Sequence, residues 1–201
     1  MKLSYSTIKM LQEASHIWVN RLLGIPRVDY PWFAEGRRLH HLVQGHVSGK
    51  VAVKELIGFT DTFPLVEEVD FDERLRFTVP WQDGYELSGF VDGINNDTKH
   101  LLEIKTGTMY SFGKFIKSMQ RKLYQMAFPN YSIVLFTCGK EVVPYKTYEQ
   151  KPVTEKEIKS VTDWVNEGIK IIESNVFTGG LDADGHCAVR YCEQGDSCHF
   201  I

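Results

Sequence analysis

Three residues in this chain have the types and the spacing to do chemistry together: Asp92, Glu103 and Lys105. They lie in two apolar, β-like runs, Leu87-Ser88-Gly89-Phe90-Val91-Asp92-Gly93-Ile94 and Leu101-Leu102-Glu103-Ile104-Lys105-Thr106-Gly107. A buried strand tolerates an acid at such a position only if the acid is paired or holds a cation. The runs are joined through Asn95-Asn96-Asp97-Thr98, a turn-forming cluster, so they are expected as neighbouring strands whose carboxylates converge at one end of a sheet. Lys105, two residues beyond Glu103, falls on the same face of its strand. Two carboxylates and an ammonium in one pocket suit a hard divalent cation. Magnesium takes one or two protein carboxylates with waters and substrate phosphate oxygens, and the amine stands beside the water that must attack.

The elements that must position these residues can be read from periodicity. Residues 6–23 carry Ile8, Leu11, Ile17, Trp18 and Leu22 at helical spacing, with Ser6 placed to cap and Gly24 and Pro26 to stop the helix. A second helix is expected over 31–48. Residues 67–79 and 85–94 read as strands of a hairpin turning at Pro80-Trp81-Gln82-Asp83-Gly84, and 99–106 as the third strand. A helix over 111–128, strands over 131–138 and 142–148, and a long helix over 154–174 complete the order ααβββαββα. Thr154 and Glu157 are spaced as a capping box at the start of that last helix. With 43% hydrophobic and 24% charged residues in 201, one domain with a sizeable core is expected across 1–201. It divides into a helical part at 1–50, the sheet and its following helix at 65–150, and a C-terminal helix with a Cys/His tail at 154–201.

The spacing Asp-x10-Glu-x-Lys resembles the signature of the PD-(D/E)XK nuclease superfamily. Further motifs are similar to its RecB-like branch, which includes CRISPR-associated exonucleases: Leu3-Ser4-Tyr5-Ser6 before an amphipathic helix, Gly36-Arg37-Arg38-Leu39-His40 as G-x-x-x-H, and Gln120-Arg121-Lys122-Leu123-Tyr124 as Q-x-x-x-Y. Each motif alone is weak, and their order along the chain is far more specific. The resemblance implies an α/β fold: a restriction-endonuclease-like αβββαβ core with a helical N-terminal extension and a Cys-rich C-terminal tail. It also implies roles. Asp92 and Glu103 would ligate Mg2+ or Mn2+ with the backbone carbonyl of Ile104, while Lys105 would orient the attacking water or neutralise charge on the phosphate, and could pair with Glu103 when no metal is bound.

His40 would add a neutral imidazole, which favours manganese. Successive helical residues are 100° apart, so only one of His40 and His41 can face the site, and the resemblance selects His40. Gln120 and Tyr124, one turn apart, share a face that in the resembled enzymes borders the active site, where they could hold a phosphate or brace the lysine. Arg37, Arg38, Lys114, Lys117, Arg121 and Lys122 offer a local cationic excess for a DNA backbone despite a net charge of -3. Tyr110, Phe112 and Phe115 are candidates for stacking on an unpaired base, or simply core.

The tail holds Cys187, Cys192 and Cys198 between His186 and His199. It is similar to the cysteine triplet of RecB-like enzymes that carry an iron-sulfur cluster, but its first gap, Cys-x4-Cys, is longer. No cysteine stands near Ala14-Ser15 to supply the fourth thiolate, and Cys138 would have to replace it. Zinc on the three cysteines and His186 or His199 is a second reading, and a metal-free tail a third. No signal-peptide pattern and no run long enough to cross a bilayer are visible, so a cytoplasmic protein with free thiols is expected. The function implied is a metal-dependent deoxyribonuclease, an exonuclease on DNA ends or single strands. An endonuclease, or a non-catalytic DNA-binding module on the same fold, is the alternative. DNA would be the partner, with a helicase, a recombinase or a CRISPR-adaptation protein beside it, and no membrane.

Overall fold

Alternation along one strand, His100–Thr106, organises the layers of the structure, a computed structural model that describes residues 1–25, 31–50, 76–82, 84–106, 112–138, 146–148 and 153–174. Side chains two apart share a face of a strand. Leu102 and Ile104 pack with Leu39, Val43 and Val47 of one helix, and Leu101 packs on the other side with Phe115 and Tyr124. Glu103 is in phase with Leu101, and this phase decides which helix it meets.

In chain order the elements are β1 (Lys2–Leu3), α1 (Tyr5–Leu22), α2 (Pro31–Val47), β2 (Arg76–Pro80), β3 (Glu86–Phe90), β4 (Gly93–Asn95), β5 (His100–Thr106), α3 (Phe112–Lys117), α4 (Met119–Ala127), β6 (Ser132–Cys138), β7 (Lys146–Tyr148) and α5 (Glu155–Ser174). They build two small mixed sheets, β1-β3-β2 and β4-β5-β6-β7. In the first, β1 runs parallel and β2 antiparallel to β3. In the second, β5 and β6 are parallel across the α3–α4 crossover, and β4 and β7 are antiparallel edges.

This architecture corrects the sequence reading in four places. The strand expected over 85–94 is two strands in different sheets, because the chain leaves β3 at Phe90 and joins β5 only from Gly93, opposite Leu102. The helix expected over 111–128 breaks at Ser118, which is extended at φ -73, ψ 153 and caps α4 by accepting the Arg121 N–H at 3.2 Å while donating to the Phe115 carbonyl at 2.7 Å. Ser4 rather than Ser6 caps α1: extended at φ -101, ψ 164, it accepts the Thr7 N–H at 3.1 Å. The short strand β1 was not anticipated, since two residues carry no periodicity. The parts of the expected strands that fall at 67–75 and 142–145 lie outside the described residues.

Local chemistry accounts for the ends that were anticipated. Gly24, at φ 72, closes α1 by donating to the Arg21 carbonyl at 3.1 Å. Pro31 opens α2, where its missing N–H costs nothing. The capping box of α5 forms in both directions, Glu157 N–H to Thr154 Oγ1 and Thr154 N–H to Glu157 Oε2, each at 3.2 Å. Among the described residues no helix is long and apolar enough to cross a membrane.

Outside the second sheet, α1 and α5 pack on each other and, with Leu3, Leu87 and Leu123, enclose a third core cluster. Gly168 of α5 sits so close to α1 that a Cβ there would lie 2.8 Å from Ile8 Cγ2, and Ile8 is fully buried. Gly113 of α3 has nothing within 4 Å of a Cβ position. Gly168→Ala is therefore expected to destabilise the fold by about 1 kcal/mol or more despite alanine's better helix propensity. Gly113→Ala should be neutral or stabilising by up to about 1 kcal/mol. Urea unfolding of the two variants checks both signs.

Candidate active site

Where the chain crosses between the sheets, Asp92 stands opposite β5 just beyond the last β4–β5 pair. Its N–H still bonds the Leu102 carbonyl at 3.1 Å. At the next position outward, the Ile104 N–H meets the Asp92 carboxylate instead of backbone, at 2.6 Å from Oδ2. In a strand the N–H and C=O of one residue leave on the same side, so the Ile104 carbonyl also projects toward this open margin of β5. A carboxylate and a carbonyl thus meet where the ladder stops.

Glu103 is 2% exposed and fully engaged. Its Oε1 accepts from Gln120 Nε2 at 2.9 Å and pairs with Lys105 Nζ, and its Oε2 accepts from the Tyr124 hydroxyl at 2.6 Å. Gln120 also donates to the Tyr124 oxygen at 2.9 Å, and the Phe90 carbonyl lies 3.2 Å from the same hydroxyl. The helical spacing that puts Gln120 and Tyr124 on one face of α4 therefore serves to hold Glu103. The sequence reading gave them a phosphate or the lysine. Burial and the neighbouring carboxylates keep the Tyr124 phenol protonated well above its ordinary range.

His40 reaches Asp92 from α2, on the opposite side of the sheet from α4, with Nε2 3.7 Å from Oδ1. That is an approach and not a hydrogen bond. Gly36, one turn earlier, makes it possible: a Cβ there would come within 3.0 Å of Thr106 Oγ1, so glycine lets α2 lie close on the end of β5. His41 is exposed and stands edge-on to the His40 ring. Burial pushes the His40 imidazole down to about 4, so it is neutral at physiological pH.

Burial, then the charge of Glu103, push Asp92 up to about 8, against the Ile104 N–H and the Lys105 ammonium. The crowding of the two carboxylates favours the protonated form of Asp92. Among the described residues, no three His, Cys, Asp or Glu side chains already close around a common point. Glu103 is drawn toward α4 and His40 comes from the other face, with Asp92 at the margin between them. The residues able to hold a hard cation are Asp92, His40, Glu103 and the Ile104 carbonyl, and the cation would replace the proton on Asp92.

The predicted cationic surface divides. Lys114, Lys117 and Arg37 are exposed, and Arg38 is exposed but locked to Glu35 by two 2.7 Å hydrogen bonds. Arg121, expected on the substrate, is 5% exposed and built into the core, donating to the Ile116 carbonyl at 2.8 Å, to Gln125 and to Glu157. Its guanidinium holds Glu157 below the usual carboxylate range. Lys122 donates to Ser160 at 3.1 Å. Phe115 is fully buried and stacks on nothing in solvent. Tyr110 and the tail with His186, Cys187, Cys192, Cys198 and His199 lie outside the described residues.

No protein-family model matches the chain, and no curated protein matches its sequence. Its fold is similar to the crystal structure of SSO0001, at 13% identity and a TM-score of 0.53 over 85% of this chain and 76% of that one. It is also similar to that of a candidate exonuclease from Eubacterium rectale, at 9% identity and a TM-score of 0.50 over 91% and 86%. At such identities the likeness is one of fold, a mixed α/β arrangement shared with a candidate exonuclease.

The two shifted groups give the metal-free protein a testable pH dependence. His40, depressed from 6.5 to about 4, contributes stability that is present above pH 6.5 and lost as pH falls toward 4. Asp92, raised from 3.8 to about 8, contributes stability that is present at low pH and lost as pH rises toward 8. Between pH 6.5 and 8 only the Asp92 slope remains from this pair. In EDTA, the urea midpoint of the wild type should fall across that window, and that of Asp92→Asn should stay flatter. Parallel profiles for the two proteins would place the proton elsewhere.

Proposed function

We propose that this chain is a metal-dependent deoxyribonuclease of the RecB-like, PD-(D/E)XK type, acting on DNA ends or single strands. The observation that carries the reading is Asp92 beside buried Glu103, with Lys105 on that carboxylate, at the one margin of β5 where strand pairing stops. The similarity of fold to a candidate exonuclease supports it.

The donor set fits magnesium or manganese: carboxylate and carbonyl oxygens with one neutral imidazole, around a pair of acids whose mutual repulsion a cation relieves. Asp92, Glu103 and His40 would hold the ion with the Ile104 carbonyl. When bound it supplies Lewis acidity at the phosphate and lowers the pKa of a water. The protein does the rest. Gln120 and Tyr124 fix the Glu103 carboxylate so that it is preorganised. Lys105, no longer needed as the counter-ion of Glu103, turns its ammonium to the attacking water and to the charge growing on the phosphoryl oxygens. The water gives up a proton to solvent as its oxygen bonds phosphorus, the bond from phosphorus to the departing sugar oxygen breaks, and that oxygen takes up a proton from solvent.

Incubation with end-labelled and circular single- and double-stranded DNA tests this, with magnesium, manganese or EDTA. Cleavage should require metal and be lost in Asp92→Ala and in Glu103→Ala, with the fold intact by circular dichroism. His40→Ala should cut activity strongly, most visibly in manganese, and His41→Ala should change it little. Near-normal cleavage by either acidic variant would sink the assignment.

A further inference from the structure

The first turn of α2 carries a half-exposed aromatic side chain that lies outside the three core clusters. Trp32 stands in the first turn of α2, 48% exposed, beside Phe33 with ring centroids 6.2 Å apart. Gly36 and His40 follow at successive four-residue steps, so the three residues form one row along the helix. Two of its members are fixed: Gly36 against Thr106 at the end of β5, and His40 facing Asp92. At 1.5 Å per residue, Trp32 lies about 12 Å from His40 along the axis, past the end of the strand. The neighbouring row, Phe33, Arg37 and His41, adds an exposed guanidinium one turn from the aromatic pair. An indole left half in water ahead of a phosphate-directed site, with a cation close by, matches how unpaired nucleic acid is gripped: a base stacks on the ring and the backbone follows the charge.

We propose that Trp32 is a stacking residue for an unpaired base of the strand led to Asp92, so that the preferred substrate is single-stranded DNA or a frayed end. Base pairs within a duplex keep their faces stacked on one another, and a duplex gains nothing from the ring. This inference rests on the nuclease reading of the site, which it narrows to a class of substrate. It moves the stacking function from Phe115, which is buried, to the far end of α2.

Binding of fluorescein-labelled oligonucleotides in EDTA, read by anisotropy at low salt, tests it without cleavage. Trp32→Ala should weaken binding of a single-stranded oligonucleotide by about tenfold, Trp32→Tyr should restore most of it, and blunt duplex binding should be the same for all three proteins. On an oligonucleotide of abasic residues, the advantage of wild type over Trp32→Ala should vanish. The indole is half exposed, so the thermal midpoint of Trp32→Ala should stay close to wild type. If wild type binds single strands and Trp32→Ala binds them equally, or if the loss persists on the abasic strand, the stacking role is wrong and the nuclease reading stands. If wild type binds no DNA of either form, both fall together.

Discussion

Ile104 lies within a sheet strand, yet among the described residues no strand pairs with its N–H, because the chain that would supply one lies in a second sheet up to Phe90. A backbone donor at that depth needs an acceptor. Asp92 provides it, and in doing so a carboxylate is brought close to Glu103, whose phase along β5 is already set by the packing of Leu101, Leu102 and Ile104. The acids are therefore adjacent for reasons of fold, and their repulsion is the unsolved electrostatic problem of the metal-free molecule. A proton on Asp92 and the Lys105 ammonium on Glu103 answer it in part. A divalent cation at the same margin answers it more fully.

The remaining parts of the site support this crowding from two sides. On one face, Gln120 and Tyr124 saturate Glu103 and keep its carboxylate from rotating away. On the other, the close approach of Gly36 to Thr106 sets α2 deep enough for the neutral His40 imidazole to face Asp92. A break in one helix also contributes. Ser118 ends α3 and starts α4 in a new direction, while Arg121, buried and paired with Glu157, ties α4 to α5. An arginine that looked like a phosphate ligand is a structural strut, and its removal would displace the helix that holds Glu103.

Much of this was legible in the sequence, and the illegible parts have identifiable causes. The run 101–106 declared itself because a glutamate and a lysine interrupt an apolar strand, and Thr154 with Glu157 declared the start of α5 because a capping box is local chemistry. The sheet switch at Asp92 was hidden. A period of two continues through Val91 and Asp92, and nothing local reveals that one carboxylate will take a backbone bond from a strand residue twelve positions on. The break at Ser118 was hidden for a related reason, since helical spacing persists across it and only the serine hints at a cap. Arg121 shares its type and its neighbours with solvent-facing lysines, so burial had to be seen. The choice of His40 over His41 came from the spacing to Gly36, and the packing of Gly36 on Thr106 supplies the physical reason for that spacing.

Crowding between Asp92 and Glu103 favours a proton on Asp92, and the proposed cation would take that proton's place. Calorimetric titration of manganese into the metal-free protein at pH 7, repeated in buffers of different ionisation enthalpy, counts the protons released on binding. With Asp92 pushed up to about 8, close to one proton should leave for each ion bound. The Asp92→Asn protein should bind more weakly and release almost none. Tight binding without proton release, or equal affinity in the Asp92→Asn protein, would contradict the account.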